Sequence, residues 1–521
     1  MMSTLRALCL GGLLFVAMCL CQAAVKLPAV LASHMVLQQQ TAVPIWGTAS
    51  PNEAVTVKFR TQEKKAIADD KGNWMVKLDP LQAGGPDELT VTGANAITLT
   101  DVLVGEVWVG SGQSNMAMGV IYYTKNDEVL AKMQAAGPYP RLRLGTARGW
   151  QETTPVTCNG YSALLFAFGV QLQQKLDVPV GLLLGAVGGT PSGYWLSEEA
   201  YRSDAACTEV VQAYAKAHPY DQAAEDATYQ AAMEKYTPEE AEWDKLTADE
   251  KKIKPAPRRP VHLVKPGESS GKIGNLYHAY IRPLQPFAIG GVLWDQGESG
   301  TDIVGVDQYT MMGALIRGWR KDWGQGDFPF IFIQKPSGGG SAFDPTDPVG
   351  SQAQKFSPLP LVVPKDGDVR ETHIRIMTYP NTGMVISSDL GTGTHPTNKS
   401  GYGTRAARVA LGMVYGHKVE YYGPLFAKQT VEDGKIRIAF THCGQGLAIP
   451  AGQEKLQGFA IAGENKTFVW ADAVIEGTTV VVSHPTVPQP RYVRYAWAYN
   501  APWANLFNKD GLPAIPFRTD K

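Results

Sequence analysis

Three textures of apolar and polar residues succeed one another along the chain. From residue 25 to about 100 they alternate in short runs, as in Val55-Thr-Val-Lys-Phe59, Trp74-Met-Val-Lys-Leu78 and Leu89-Thr-Val-Thr92, broken by Asp70-Lys-Gly-Asn73 and Ala83-Gly-Gly-Pro86. Period-two alternation with such breaks predicts a small antiparallel sandwich. From about 102 the runs become continuously apolar: Val104 to Val109, Val180-Gly-Leu-Leu-Leu-Gly185, Gly290-Gly-Val-Leu-Trp294, Phe328-Pro-Phe-Ile-Phe-Ile333 and Met384-Val-Ile-Ser-Ser388. Separated by helical stretches such as 164–172 and 403–415, they predict a parallel sheet covered on both faces. Alternation returns at 435–440, 480–483 and 492–497 and predicts a second β domain.

The α/β pattern is interrupted. Residues 198–260 are charged and helical without the apolar density of a core. Thr237-Pro-Glu-Glu240 reads as a capping box with proline at the first helical position, and Thr247-Ala-Asp-Glu250 repeats the box. Pro255-Ala-Pro-Arg-Arg-Pro260 closes the segment as an extended linker. It reads as a solvated insertion at the sheet edge, with a lid or an oligomer contact as alternatives. The expected boundaries are therefore 25–101 for the first β domain, 102–418 for the α/β unit with its insertion at 198–260, and 419–521 for the second β domain.

Residues 1–24 look different. Arg6 precedes the apolar run from Ala7 to Leu20 and the small-residue end Cys21-Gln-Ala-Ala24. This is the layout of a cleaved secretory leader and is too short for a spanning helix, so the expected address is secreted or periplasmic. No later stretch approaches membrane length. A formal net charge of -1, without basic runs, offers no footprint for nucleic acid or an anionic membrane. Three of the six cysteines fall in the leader. Cys158, Cys207 and Cys443 allow at most one disulfide and lack zinc-ligand spacing.

Chemistry concentrates at strand ends, where open α/β sheets place their sites. Glu106-Val-Trp-Val-Gly-Ser-Gly-Gln-Ser114-Asn-Met runs from a strand into a glycine turn that lifts the Ser114 hydroxyl. Gly185-Ala-Val-Gly-Gly189-Thr-Pro offers bare backbone N–H groups to an oxyanion, and no Gly-Lys-Ser/Thr follows to make it a phosphate loop. Trp294-Asp-Gln-Gly-Glu-Ser299 supplies the Gln296 amide and the carboxylates Asp295 and Glu298. Asp389-Leu-Gly-Thr-Gly-Thr-His395 places a histidine on a loop just before a helix, and His278 is a weaker candidate. Each motif alone is an ordinary turn. Together they describe an activated-serine acyl-transfer site.

Gly105 to Met116, Gly188-Gly-Thr-Pro191, Gly291 to Ser299 and His395-Pro-Thr-Asn-Lys399 resemble the blocks of the sialate O-acetylesterase family. Leu31-Ala-Ser-His-Met-Val-Leu-Gln-Gln39 is similar to its opening strand, and Arg494-Tyr-Ala-Trp497 with Gly511 to Arg518 to its ending. The resemblance implies an SGNH-like, flavodoxin-like parallel sheet flanked by helices, with N- and C-terminal β-sandwich-like domains. It also implies hydrolysis of acetyl esters on a sugar or glycan, most readily O-acetylated sialic acid, without metal or organic cofactor. Ser114 would be the nucleophile, His395 the base, and the Ser114 N–H, Gly189 N–H and Gln296 the oxyanion donors.

One feature departs from the pattern. The SGNH aspartate three residues before the histidine is Thr392 here. Glu298 is then the expected acid, with Asp389 or Asp295 as substitutes, or a dyad in which a backbone carbonyl steers His395. The Gly/Pro-rich stretch 335–375 also differs from the family and is expected to border the acyl or sugar pocket. An acetylxylan or other polysaccharide acetylesterase is the alternative enzyme; a glycan-binding protein with a degenerate site is the reading from another class. The oligomeric state is not legible.

Overall fold

One 17-residue strand, Ala96–Gly112 (β1), carries the architecture. In the computed structural model, which describes residues 24–521, its first half alternates exposed and buried positions and pairs antiparallel with Gly84–Thr92. From Val102 onward every residue is buried, as a strand covered on both faces must be. The two habits meet at Asp101, which has φ +54°. The domain boundary expected at 101/102 thus falls inside a single strand. The expected leader lies outside the described residues, apart from Ala24.

Five more strands join β1 in a mixed sheet: Tyr139–Thr146 (β2), Val180–Ala186 (β3), Gly291–Asp295 (β4), Phe330–Ile333 (β5) and Thr382–Val385 (β6). They are parallel and ordered β6-β5-β4-β1-β3-β2, with Gly149–Thr153 antiparallel at the edge. Leaving aside the β2 hairpin, the chain order across the sheet is second-first-third-fourth-fifth, which makes the ends of β3, β1 and β4 neighbours around the order's reversal. Register confirms it: Gly112 lies opposite Ala186 on one side and Asp295 on the other.

Helices cover both faces. Ala163–Leu176 (α2) begins at Ser162, whose hydroxyl accepts from Leu165 N, and sets Phe168 edge-on to Trp108 with ring centroids 5.1 Å apart. Gln308–Trp323 (α3) sets Trp319 against Trp294 at 5.9 Å. Lys399–Met413 (α4) follows β6, its start capped by the Asn398 side chain on Gly401 N. These strands and helices share one continuous apolar core with the N-terminal strands; a separate core lies in the C-terminal sheets. Those sheets are two four-stranded units, containing Lys435–Thr441 and Thr479–Ser483 in one and Phe459–Ala462 and Tyr492–Tyr495 in the other.

The insertion is helical, as its composition requires, with one correction. Thr237 and Pro238 do not start a helix but sit inside Gln222–Asp244. Thr237 Oγ1 donates to Met233 O at 2.9 Å, and Glu234, whose carbonyl Pro238 cannot serve, is exposed on this helix. The second box, at Thr247 and Glu250, forms in full.

Candidate active site

The nucleophile loop follows from a close approach of two strands. At Gly112, φ is +125°, and a Cβ would lie 2.1 Å from Asp295 O, so β1 passes β4 only as glycine. Gln113 N donates to Asp295 O at 2.8 Å, and the chain turns into the four-residue helix Ser114–Ala117 (α1). Ser114 is half-buried at the start of that turn.

The glycine block after β3 faces it. A Cβ at Gly188 would touch Ser114 Cβ at 3.5 Å, whereas Gly189, with φ +71°, opens onto free space. The histidine loop reaches in from the far side: His395 Nε2 lies 2.8 Å from Ser114 Oγ. Serine, glycine block and histidine therefore converge as the strand ends predict. His278 lies instead in the short helix Tyr277–Ile281.

The remaining candidates are placed otherwise. Gln296 is not a free oxyanion donor: its Nε2 donates to Gly300 O at 2.8 Å and, more distantly, to Thr190 O at 3.4 Å, while its Oε1 accepts from Gln308 Nε2 at 3.0 Å. Glu298 does not steer His395. Its Oε1 accepts from Lys335 Nζ at 2.7 Å and Asn115 Nδ2 at 3.0 Å. Asp389 is gripped by Arg405 through both oxygens, at 2.5 and 2.9 Å. Asp295 is wholly buried and forms an ion pair with Lys335, without hydrogen-bond geometry at either oxygen. Among the described residues no carboxylate pairs with His395.

Electrostatics explain these commitments. Burial pushes the Asp295 carboxyl up, despite Lys335. Burial acts the same way on Glu298, but there Lys335 outweighs it and holds the carboxyl below its usual value. Lys335 itself, 1 % exposed, is raised because its two carboxylates overcome desolvation. A buried lysine needs such partners. Lys399 has weaker ones, and burial drops it to about 7. Its ammonium donates to Asn115 Oδ1 at 2.7 Å and Pro396 O at 2.8 Å, under the rings of Tyr123 and Tyr402.

Asn115, Lys335 and Lys399 are thus site residues that residue-type reasoning passed over. Asn115 adjoins Ser114, and Lys335 stands two residues past β5, so the strand-end rule that found the other blocks also points to them. Within the 335–375 stretch, Lys335 and Ser337 both reach Glu298. Ser337 to Ser341 is buried behind the histidine loop, with Gly339 N donating to Gly391 O at 3.1 Å.

Cys158, Cys207 and Cys443 are free, and burial pushes the Cys207 thiol to about 12. His34, Asp101 and Glu152 come close enough to share an ion, but Arg143 already holds Asp101 at 2.8 Å.

A mixed sheet with a serine and an imidazole in contact at its strand ends is the frame of a carboxylic ester hydrolase. No family model matches the chain. Human sialate O-acetylesterase is 27% identical over 541 aligned residues, covering 93% of this chain and 90% of the human protein. The rat sialate O-acetylesterase is 28% identical over 448 residues, covering 75% and 74%. The crystal structure of a carbohydrate acetylesterase from Xanthomonas citri superposes with TM-score 0.71 at 29% identity, covering 96% of this chain and all of that one. The resemblance seen in the sequence blocks is borne out: the chain is a sialate O-acetylesterase-like carboxylic ester hydrolase.

Proposed function

We propose that the protein removes O-acetyl groups from sugars by a serine mechanism on an SGNH-like sheet. The 2.8 Å contact between His395 Nε2 and Ser114 Oγ carries this reading. Ser114 Oγ attacks the acetyl carbonyl carbon while His395 Nε2 takes its proton and then delivers it to the departing sugar oxygen. Water, deprotonated by His395, hydrolyses the acetyl-serine and releases acetate. The oxyanion forms against the Ser114 and Gly189 N–H groups, the first at the start of α1 and the second on the open glycine turn. Gln296 is left out of this role because its amide protons are engaged on backbone carbonyls.

Acetate release from an aryl acetate by wild type and Ser114→Ala tests the chemistry. Equal rates would end the serine reading. The names of the human, rat and Xanthomonas relatives favour an acetylated sialic acid or another acetylated carbohydrate. Comparing acetate release from O-acetylated sialic acids and acetylxylan decides between them. Export by a cleaved leader belongs to the same proposal; it rests on the residue pattern of 1–24, and N-terminal sequencing of the exported protein checks it.

A further inference from the structure

His395 stands on an exposed loop, residues 392–395, with no carboxylate behind its ring among the described residues. Something else must hold it against Ser114, since a general base works only at hydrogen-bond reach. The two backbone carbonyls that flank His395 are both gripped from below. Thr394 O accepts from Asn115 Nδ2 at 2.9 Å, and Pro396 O accepts from Lys399 Nζ at 2.8 Å. Lys399 Nζ also reaches Asn115 Oδ1 at 2.7 Å, and so joins the two grips.

Asn115 is suited to this by position and by valence. It is the residue after Ser114, fully buried, and every polar atom of its side chain is used. One N–H goes to Thr394 O, the other to Glu298 Oε1, and the oxygen takes the lysine ammonium. The opposite amide orientation would set NH2 against the ammonium and the oxygen against two acceptors, so the partners dictate which way the group faces. Glu298 is in turn fixed by Lys335.

We propose that Asn115 is the positioning residue for the base: its side-chain amide, locked by Glu298 and Lys399, spans from the residue beside the nucleophile to the carbonyl beside His395 and sets their separation. This rests on the reading of Ser114 and His395 as the reacting pair. It assigns Glu298 an indirect part, one amide away from the loop. It supplies orientation without the negative charge that a triad acid would add. The groups facing Lys399 are Asp295, Glu298, Asp127 and Lys335, with the rings of Tyr123 and Tyr402 over it. Burial holds its ammonium near 7, so the lock itself weakens as pH rises through that value.

The test uses the full chain and an aryl acetate. Asn115→Ala should lower kcat by about a hundredfold with KM little changed, the scale of a misplaced catalytic group. Asn115→Asp preserves shape and the acceptor toward Lys399 but has no N–H for Thr394 O; it should fall as far. A role in packing alone would leave Asn115→Asp active, and that result overturns the proposal. So does a folded Asn115→Ala with kcat within about threefold of wild type. Should both variants fail to fold, Lys399→Met is the second measurement: a drop of about tenfold or more in kcat together with loss of an alkaline decline starting near pH 7 supports the proposal, and an unchanged kcat and pH profile overturns it. Ser114→Ala run alongside separates the two readings. If it matches wild type, the serine mechanism fails; if it is dead while the Asn115 variants are fully active, only the positioning role fails.

Discussion

Lys335 Nζ lies 2.7 Å from Glu298 Oε1 and is also paired with Asp295, so one buried cation holds both carboxylates of the Trp294–Ser299 loop. This commits the expected triad acid to a structural pair. Lys335→Met leaves two carboxylates in a site that Lys335 alone neutralises directly. Chemical denaturation should show a loss of about 3–5 kcal/mol, the cost of breaking a buried pair on one side.

Glu298→Gln is gentler, since an amide oxygen still accepts from Asn115 and Lys335. Its kcat should fall by less than about tenfold, far short of the roughly ten-thousand-fold loss on neutralising a triad acid that contacts its histidine. Steady-state kinetics on an aryl acetate measures the difference.

Asp389→Asn should separate stability from catalysis in the other direction. Its carboxylate is spent on Arg405 of α4. The substitution should cost about 1.5–3 kcal/mol, the range for a hydrogen bond to a charged group, and leave the kcat of the folded fraction essentially unchanged.

Lys399 also predicts how stability follows pH. The folded protein releases its proton near 7, while the unfolded chain keeps it up to the ordinary lysine value of 10.5. Between those values unfolding takes up a proton, so stability rises with pH and falls as pH drops toward 7. From about pH 7 to about 8, before most of the cysteine titration, the gain is about 1 kcal/mol. Denaturation midpoints across that window should climb in wild type and stay flat in Lys399→Met.

Gly112→Ala and Gly189→Ala form a pair that reads the loop geometry. At Gly112 the added methyl meets the Asp295 backbone oxygen, which cannot step aside, so the variant should lose about 3 kcal/mol or more. At Gly189 nothing lies within 4 Å of the methyl; only the left-handed φ is penalised, by about 1–2 kcal/mol. Thermal or urea unfolding ranks the two.

Much of the site was legible along the chain because a parallel sheet turns sequence adjacency into spatial adjacency. A polar cluster that follows a continuously apolar run must emerge at a strand's carboxyl end, and Ser114, the glycine block and His395 all meet there. The Thr237 motif does not mark a helix start because a capping box and Pro238 are equally compatible with a helix already under way on an exposed face. The loop of Gln296 and Glu298 is legible but their partners are not, since the amide and carboxylate pair with whatever donors and acceptors the fold brings near.

The residues alone determined the class of sheet, the two flanking β regions, the helical insertion, and the convergence of serine and histidine, because burial periodicity and glycine turns are local properties. Which carboxylate, if any, serves the histidine was decided by the tertiary structure. Lys335 and Lys399 arrive from 37 and 284 positions away from the atoms they bind, and their charges could be buried only by claiming Asp295, Glu298 and Asn115 as partners. Those pairings leave His395 braced through the backbone on either side of it.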